Sequence, residues 1–228
     1  MAKRSRPSGK KAQEINKADY SKEAEECFKI SIQEPLKQAE KIGKVDIVVG
    51  IPFYNEADTV GEVIKTVYKG LEEYYPDQKC AIVASGSSVG GKALDVINEL
   101  SKTSKINRIA FLLNDEKLNG KGWSIRAIFE IARVLNADLA IIEADISSRQ
   151  KNGDIEGVAP DWIKLLLEPV KKQEIDLVMS RFNRHYFESF VSTRLVYPVL
   201  AAIFNCPIHD PEGGQWGISN RLLRTCLQ

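Results

Sequence analysis

The sequence predicts an α/β domain with a mostly parallel sheet flanked by helices, and three observations support this. From Lys44 onward, short β-branched apolar runs alternate with longer segments whose apolar residues recur at helical spacing. Several of those runs end in small, polar or charged residues, as strands do where the carboxyl edge of a parallel sheet meets a ligand. The 228 residues, 43% hydrophobic and 28% charged with a formal net charge of +1, are enough for a sizeable core.

The elements follow in order. Residues 1–19 read as a basic tail: Lys3, Arg4, Arg6, Lys10 and Lys11 precede any acid. With charge nearly balanced elsewhere, this is read as a solvated tail rather than a nucleic-acid or membrane tether. Residues 20–43 form a helical lead-in of one or two helices, with Ala24, Cys27, Phe28, Ile32, Leu36 and Ala39 on one face. Residues 44–228 form the main domain. Val45 to Ile51 is its first strand, and Thr59 with Glu62 makes a capping box for a helix bearing Val60, Val63, Ile64, Val67 and Leu71.

Ala81 to Ala84 is the second strand, followed by a helix with Ala93, Val96, Ile97 and Leu100; Ile109 to Leu113 is the third. The next helix presents Ile125, Ile128, Phe129 and Ala132, and the fourth strand runs to Ala144. Pro160 suits the first turn of a helix through Leu165 to Leu167, Leu177 to Met179 is a further strand, and Val191 to Phe204 is a helix bent near Pro198. No apolar run reaches the roughly 18 residues of a membrane helix. With no secretory signal either, the expected location is cytoplasmic. Cys27, Cys80, Cys206 and Cys226 lack metal-ligand spacing and are expected as free thiols in or near the core.

The chemistry gathers in the loops after the strands. Ile141-Ile142-Glu143-Ala144-Asp145 ends an apolar run in two carboxylates one residue apart, which can hold a divalent cation and, through it, a phosphate. Pro52-Phe53-Tyr54-Asn55-Glu56 offers the Tyr54 ring to a base, while Glu56 can accept from ribose hydroxyls or order the loop. Ser85-Gly86-Ser87-Ser88-Val89-Gly90-Gly91 permits close backbone approach, or is a plain tight turn. Gly120-Lys121-Gly122 opens a helix and sets Lys121 where a pyrophosphate would meet the helix N-terminus.

Taken in order, these loops resemble the nucleotide-sugar domain of GT-A glycosyltransferases of the family 2 type. The later segments Pro160-Asp161-Trp162-Ile163, Asp176-Leu177-Val178 and Asp210-Pro211-Glu212-Gly213-Gly214-Gln215-Trp216-Gly217-Ile218-Ser219 look most like the branch containing mannosylglycerate synthase and the sugar-phosphoglycerate synthases. The resemblance implies transfer of a hexose from a nucleotide diphosphate sugar, of the GDP-mannose or UDP-glucose type, to an acceptor hydroxyl, with Mg²⁺ or Mn²⁺ as cofactor. It places Pro52, Tyr54, Glu56 and Ser85 around the base and ribose, and Lys121 beside the diphosphate. Glu143 and Asp145 fall at the ribose and metal, and Gly213 and Gly214 beside the donor. Asp210, Glu212, Gln215 and Arg184 carry catalytic or acceptor roles, Arg184 pairing with an anionic, glycerate- or phosphoglycerate-like acceptor.

Three departures separate this chain from the family pattern. The usual aspartates after the second strand are Ala84 or Ser85 and Val89; the first metal-triplet acid is Glu143 rather than aspartate; and related enzymes continue past the position of Gln228 with a histidine metal ligand and part of the acceptor site. The domain is therefore expected to be shortened at its C-terminal end. A catalytically silent binding or scaffolding domain is one alternative. A nucleotidyltransferase is another, disfavoured because Pro52 to Glu56 is not a glycine-rich basic loop.

Overall fold

The computed structural model describes residues 17–100, 106–146, 149–151, 154–182, 190–205, 208, 210 and 213–227. The elements run α1 (Lys17–Ile42), β1 (Ile47–Phe53), α2 (Val60–Tyr74), β2 (Cys80–Ser87), α3 (Gly91–Leu100), β3 (Asn107–Leu113), α4 (Lys121–Leu135) and β4 (Asp138–Ile141). They continue with β5 (Arg149–Lys151), β6 (Asp154–Glu156), α5 (Asp161–Gln173), β7 (Leu177–Met179), α6 (Tyr197–Phe204), β8 (Trp216–Ile218) and α7 (Asn220–Cys226). The main sheet has the order β3-β2-β1-β4-β8-β7, and β5 and β6 form a separate antiparallel ribbon. Strands β1 to β4 are mutually parallel, while β8 lies antiparallel to both β4 and β7.

The central strands are apolar because helices cover both faces. Along β1 every residue is buried, and the period-two alternation divides them: Ile47, Val49, Ile51 and Phe53 enter one core with α2, α3 and α5, while Val48 enters the other with α4 and α7. Gly50 lets α4 approach β1 closely, since a Cβ there would lie 2.4 Å from an Ile128 side-chain carbon. The lead-in is one helix, continuous through Pro35, whose Phe28 and Ile32 pack in a third cluster with Leu113, Leu118 and Ala127. It is thus part of the fold rather than an appendage.

Three local expectations change. Thr59 precedes α2, but its side chain accepts no N–H of the first turn; its hydroxyl instead donates to the Ala144 carbonyl at 2.6 Å, so a distant acceptor orients it in place of the helix's own donors. Strand β4 stops at Ile141, and only the Ile142 N–H, donating to the Gly50 carbonyl, extends its pairing toward the acidic loop. Before Pro198 the chain widens into a π-helical segment, Ser192–Val196, where proline has no N–H to continue an α-turn.

Cys80 is buried as expected, and burial pushes its thiol up to about 11. Cys27 is half-buried at the edge of the third cluster, also as expected, whereas Cys226 is exposed; Cys206 and the basic stretch of residues 1–16 lie outside the described residues. Among the described residues, no helix is long and apolar enough to cross a membrane.

Candidate functional site

The parallel strands end on one edge, and a cleft of about 240 Å³ opens there, lined by Pro52, Phe53, Tyr54, Glu56, Ser87, Gly120, Lys121, Ser124, Glu143, Ala144 and Asp145. It is built from the ends of β1, β2 and β4 and the start of α4, a position where open α/β sheets hold ligands. Glu56 orders the first loop by accepting the Tyr54 N–H at 2.5 Å, and the Tyr54 ring is left 52% exposed. Thr59 fixes the acidic loop through Ala144 and so sets the position of the flanking Glu143 and Asp145.

Helix α4 starts at this cleft. Gly120 precedes it with φ +131°, a conformation L side chains rarely adopt, and directs the first turn at the cleft without a capping side chain. Lys121 follows as the first helical residue and forms an ion pair with Glu143. Burial lowers the Lys121 pKa, and the nearby Asp145 charge opposes that shift. Ser124, three residues on and buried, lines the same wall.

The second carboxylate oxygen of Glu143 is also engaged. Gln215 Nε2 donates to Glu143 Oε2 at 3.2 Å, and Gln215 Oε1 accepts from Ser180 Oγ at 3.1 Å. Gly214 makes room for this arrangement, because a Cβ there would lie 2.0 Å from Glu143 Cδ. Gly213 is held by an N–H bond to the Asp210 carbonyl at 3.0 Å, and its own carbonyl accepts from Trp216 Nε1 at 2.6 Å. Gly214 and Gln215 are therefore brought against the acidic loop by β8, which pairs with β4.

Asp145 differs from Glu143 in being exposed at the cleft. Among the described residues, no three His, Cys, Asp or Glu side chains converge as a metal cage. This donor set suits Mg²⁺ or Mn²⁺ held by one carboxylate and completed by phosphate and water oxygens, and does not suit an all-protein cage.

Of the residues singled out in the sequence, Pro52, Tyr54, Glu56, Lys121, Glu143 and Asp145 line one cleft. Ser85 does not: it is fully buried within β2, which runs three residues further than expected, and Ser87 lines the cleft instead. Gln215, given a catalytic role, is 1% exposed with both ends of its amide engaged. Asp210 is buried beside the same loop. Arg184 and Glu212 lie outside the described residues. Sequence reasoning missed Ser87, Ser124 and Thr59; period-two spacing from Ser85 and helical spacing from Lys121 carried the signal for the first two.

No family model matches the sequence, and comparison with the curated proteins finds no match. Solved structures do match it. Glucosyl-3-phosphoglycerate synthase from Mycobacterium tuberculosis, in complex with Mn²⁺, UDP and glucosyl-3-phosphoglycerate, superposes with TM-score 0.55 at 18% identity, over 82% of this chain and 60% of that one. The same enzyme with Mn²⁺, UDP and phosphoglyceric acid gives TM-score 0.51 at 20% identity, over 82% and 59% of the two chains. A further structure of that synthase gives 0.51 at 21% identity, over 83% and 61%. The chain thus spans about three-fifths of the length of these synthases. Sheet order, mostly parallel strands and these superpositions together give the chain the GT-A fold.

Proposed function

We propose that this chain is the nucleotide-sugar-binding part of a hexosyltransferase, which moves a hexose from a nucleotide diphosphate sugar to an acceptor hydroxyl. The observation that carries this is the convergence, in one cleft, of an exposed aromatic ring, a lysine at a helix N-terminus and an exposed carboxylate. These are Tyr54, Lys121 and Asp145. Each suits one part of the donor: Tyr54 the base, Lys121 with the first turn of α4 the diphosphate, and Asp145 the cation that bridges to it. Bound there, Mg²⁺ or Mn²⁺ would supply Lewis-acid stabilisation of the charge on the departing diphosphate.

The chain's own contribution is binding and orientation. Glu56 orders the loop that presents Tyr54, and Thr59 holds the backbone from which Asp145 projects. The acceptor is read as anionic and glycerate- or phosphoglycerate-like, with Arg184 as its partner and the Asp210 to Gln215 segment beside the donor sugar. The similar synthases crystallised with phosphoglyceric acid support that class of acceptor.

Calorimetric titration with UDP, GDP, UDP-glucose and GDP-mannose, each with and without Mn²⁺, tests the reading. Metal-dependent binding of one base identifies the donor class, and no binding under any condition overturns the proposal. A catalytically silent domain is the second reading, favoured by one observation: Lys121, the cation for the diphosphate, is already paired with Glu143.

A further inference from the structure

We infer that Glu143 is not a metal ligand but a positioning residue, an internal anion that holds Lys121 until a diphosphate displaces it and passes that exchange to Gln215 and Ser180. The inference rests on the nucleotide-sugar reading for its ligand and on geometry for everything else. Both carboxylate oxygens of Glu143 have protein partners, Lys121 on one and Gln215 on the other, while Asp145, two residues on, faces the cleft exposed. The pair is set into the fold from three sides. Gly214 leaves the space the carboxylate fills, Ser180 fixes the far end of the Gln215 amide at 3.1 Å, and the Ser180 N–H donates to the Gln215 carbonyl at 3.0 Å. Gln215 is 1% exposed, so its amide has no water to fall back on if Glu143 leaves.

Lys121 and Glu143 are less enclosed, their side chains 49% and 22% exposed. Their ion pair is therefore worth little and readily exchanged for a stronger anion. A diphosphate carries more charge than a carboxylate and lies where the N–H groups of the first turn of α4 add to the attraction. On arrival it takes Lys121, and Glu143 then keeps only the Gln215 contact. Donor entry is in this way felt at Gln215 and Ser180, which line a neighbouring cavity with Trp162 and Arg181. A ligand role for Glu143 makes the opposite demand, because a cation would have to share oxygens already facing an ammonium and an amide N–H.

The two roles predict opposite signs for Glu143→Gln, which keeps length and shape but removes the charge. Wild type and variant are each titrated with two probes: inorganic pyrophosphate without metal, which reads Lys121, and UDP with Mn²⁺, which reads the nucleotide site. The expected result is that pyrophosphate binds roughly twofold to fivefold more tightly to Glu143→Gln, the range of an exposed ion pair released from competition. Adding Lys121→Ala should abolish that gain. UDP with Mn²⁺ should keep its metal dependence in the variant. Equal or weaker pyrophosphate binding, or loss of the metal dependence, would overturn the inference. Absence of UDP binding in the wild type, with the pyrophosphate gain intact, would instead overturn the nucleotide-sugar reading and leave the displacement of Lys121 standing.

Discussion

Alanine at Gly217 and at Gly214 separates the fold from the site, because the two glycines lie three residues apart and meet different obstacles. At Gly217 an added Cβ would sit 2.0 Å from the Leu166 carbonyl oxygen, which is backbone of α5 packed on the sheet. Neither partner can rotate away, so α5 must lift from β8. Overpacking typically costs about 1–3 kcal/mol, and a backbone obstacle belongs at the upper end, about 3 kcal/mol. For a chain of this size roughly 2–4 °C of Tm accompanies each kcal/mol, which puts the fall at roughly 6–12 °C.

At Gly214 the Cβ would also meet atoms at 2.0 to 2.3 Å, but they are the carboxylate end of Glu143, which can swing into the cleft. The loss is then a partly exposed ion pair of at most about 1 kcal/mol and a Gln215 contact stretched rather than abandoned, about 1 kcal/mol. Removing a glycine's freedom in the unfolded chain returns about 0.4–1 kcal/mol. The net cost is about 1 kcal/mol, or roughly 2–4 °C. Differential scanning calorimetry of both variants measures the difference directly. Equal Tm losses, or a larger loss at Gly214, would refute the assignment of a rigid obstacle to one and a movable side chain to the other.

Further outcomes follow from the same geometry. Lys121→Ala should weaken diphosphates more than the corresponding nucleosides in calorimetric titration, and equal losses would place Lys121 away from the diphosphate. Thr59→Val removes the hydroxyl that holds the Ala144 carbonyl; it should cost about 1–2 kcal/mol in urea unfolding and also weaken metal-dependent nucleotide binding. Glu25 accepts two hydrogen bonds from Arg126, at 2.6 and 2.8 Å, and they hold its carboxyl below the usual glutamate range. Its stabilising share is therefore present above the ordinary glutamate pKa and lost as pH falls through the lowered one. Glu25→Gln should flatten that part of the acid unfolding curve by no more than about 1 kcal/mol, since the pair is solvent-screened.

Much of the sheet was legible because parallel strands covered on both faces read as unbroken apolar runs, as Ile47 to Ile51 and Ala81 to Ala84 do. The cleft was legible for a related reason: Tyr54 and Asp145 each follow a strand closely and Lys121 opens the helix after β3, so the topology alone carries them to one edge. What escaped is non-local. Strand β8 has three residues, Trp216–Ile218, too few for period-two spacing to show, yet its antiparallel insertion beside β4 brings Gln215 to Glu143 across 72 positions. Thr59 has the local pattern of a cap, but its hydroxyl donates to a carbonyl 85 residues away and is oriented by it. The displacement from Ser85 to Ser87 reflects strand length, since β2 gains its last residues from pairing with β1 and β3 rather than from apolar composition.

The most direct test of the central claim compares UDP affinity in the presence and absence of Mn²⁺ for the wild type and for Asp145→Asn. Mn²⁺-dependent binding to the wild type is expected, with loss of that dependence in Asp145→Asn and little change in Tm, because Asp145 is exposed. Equal, metal-dependent binding by both proteins would contradict it.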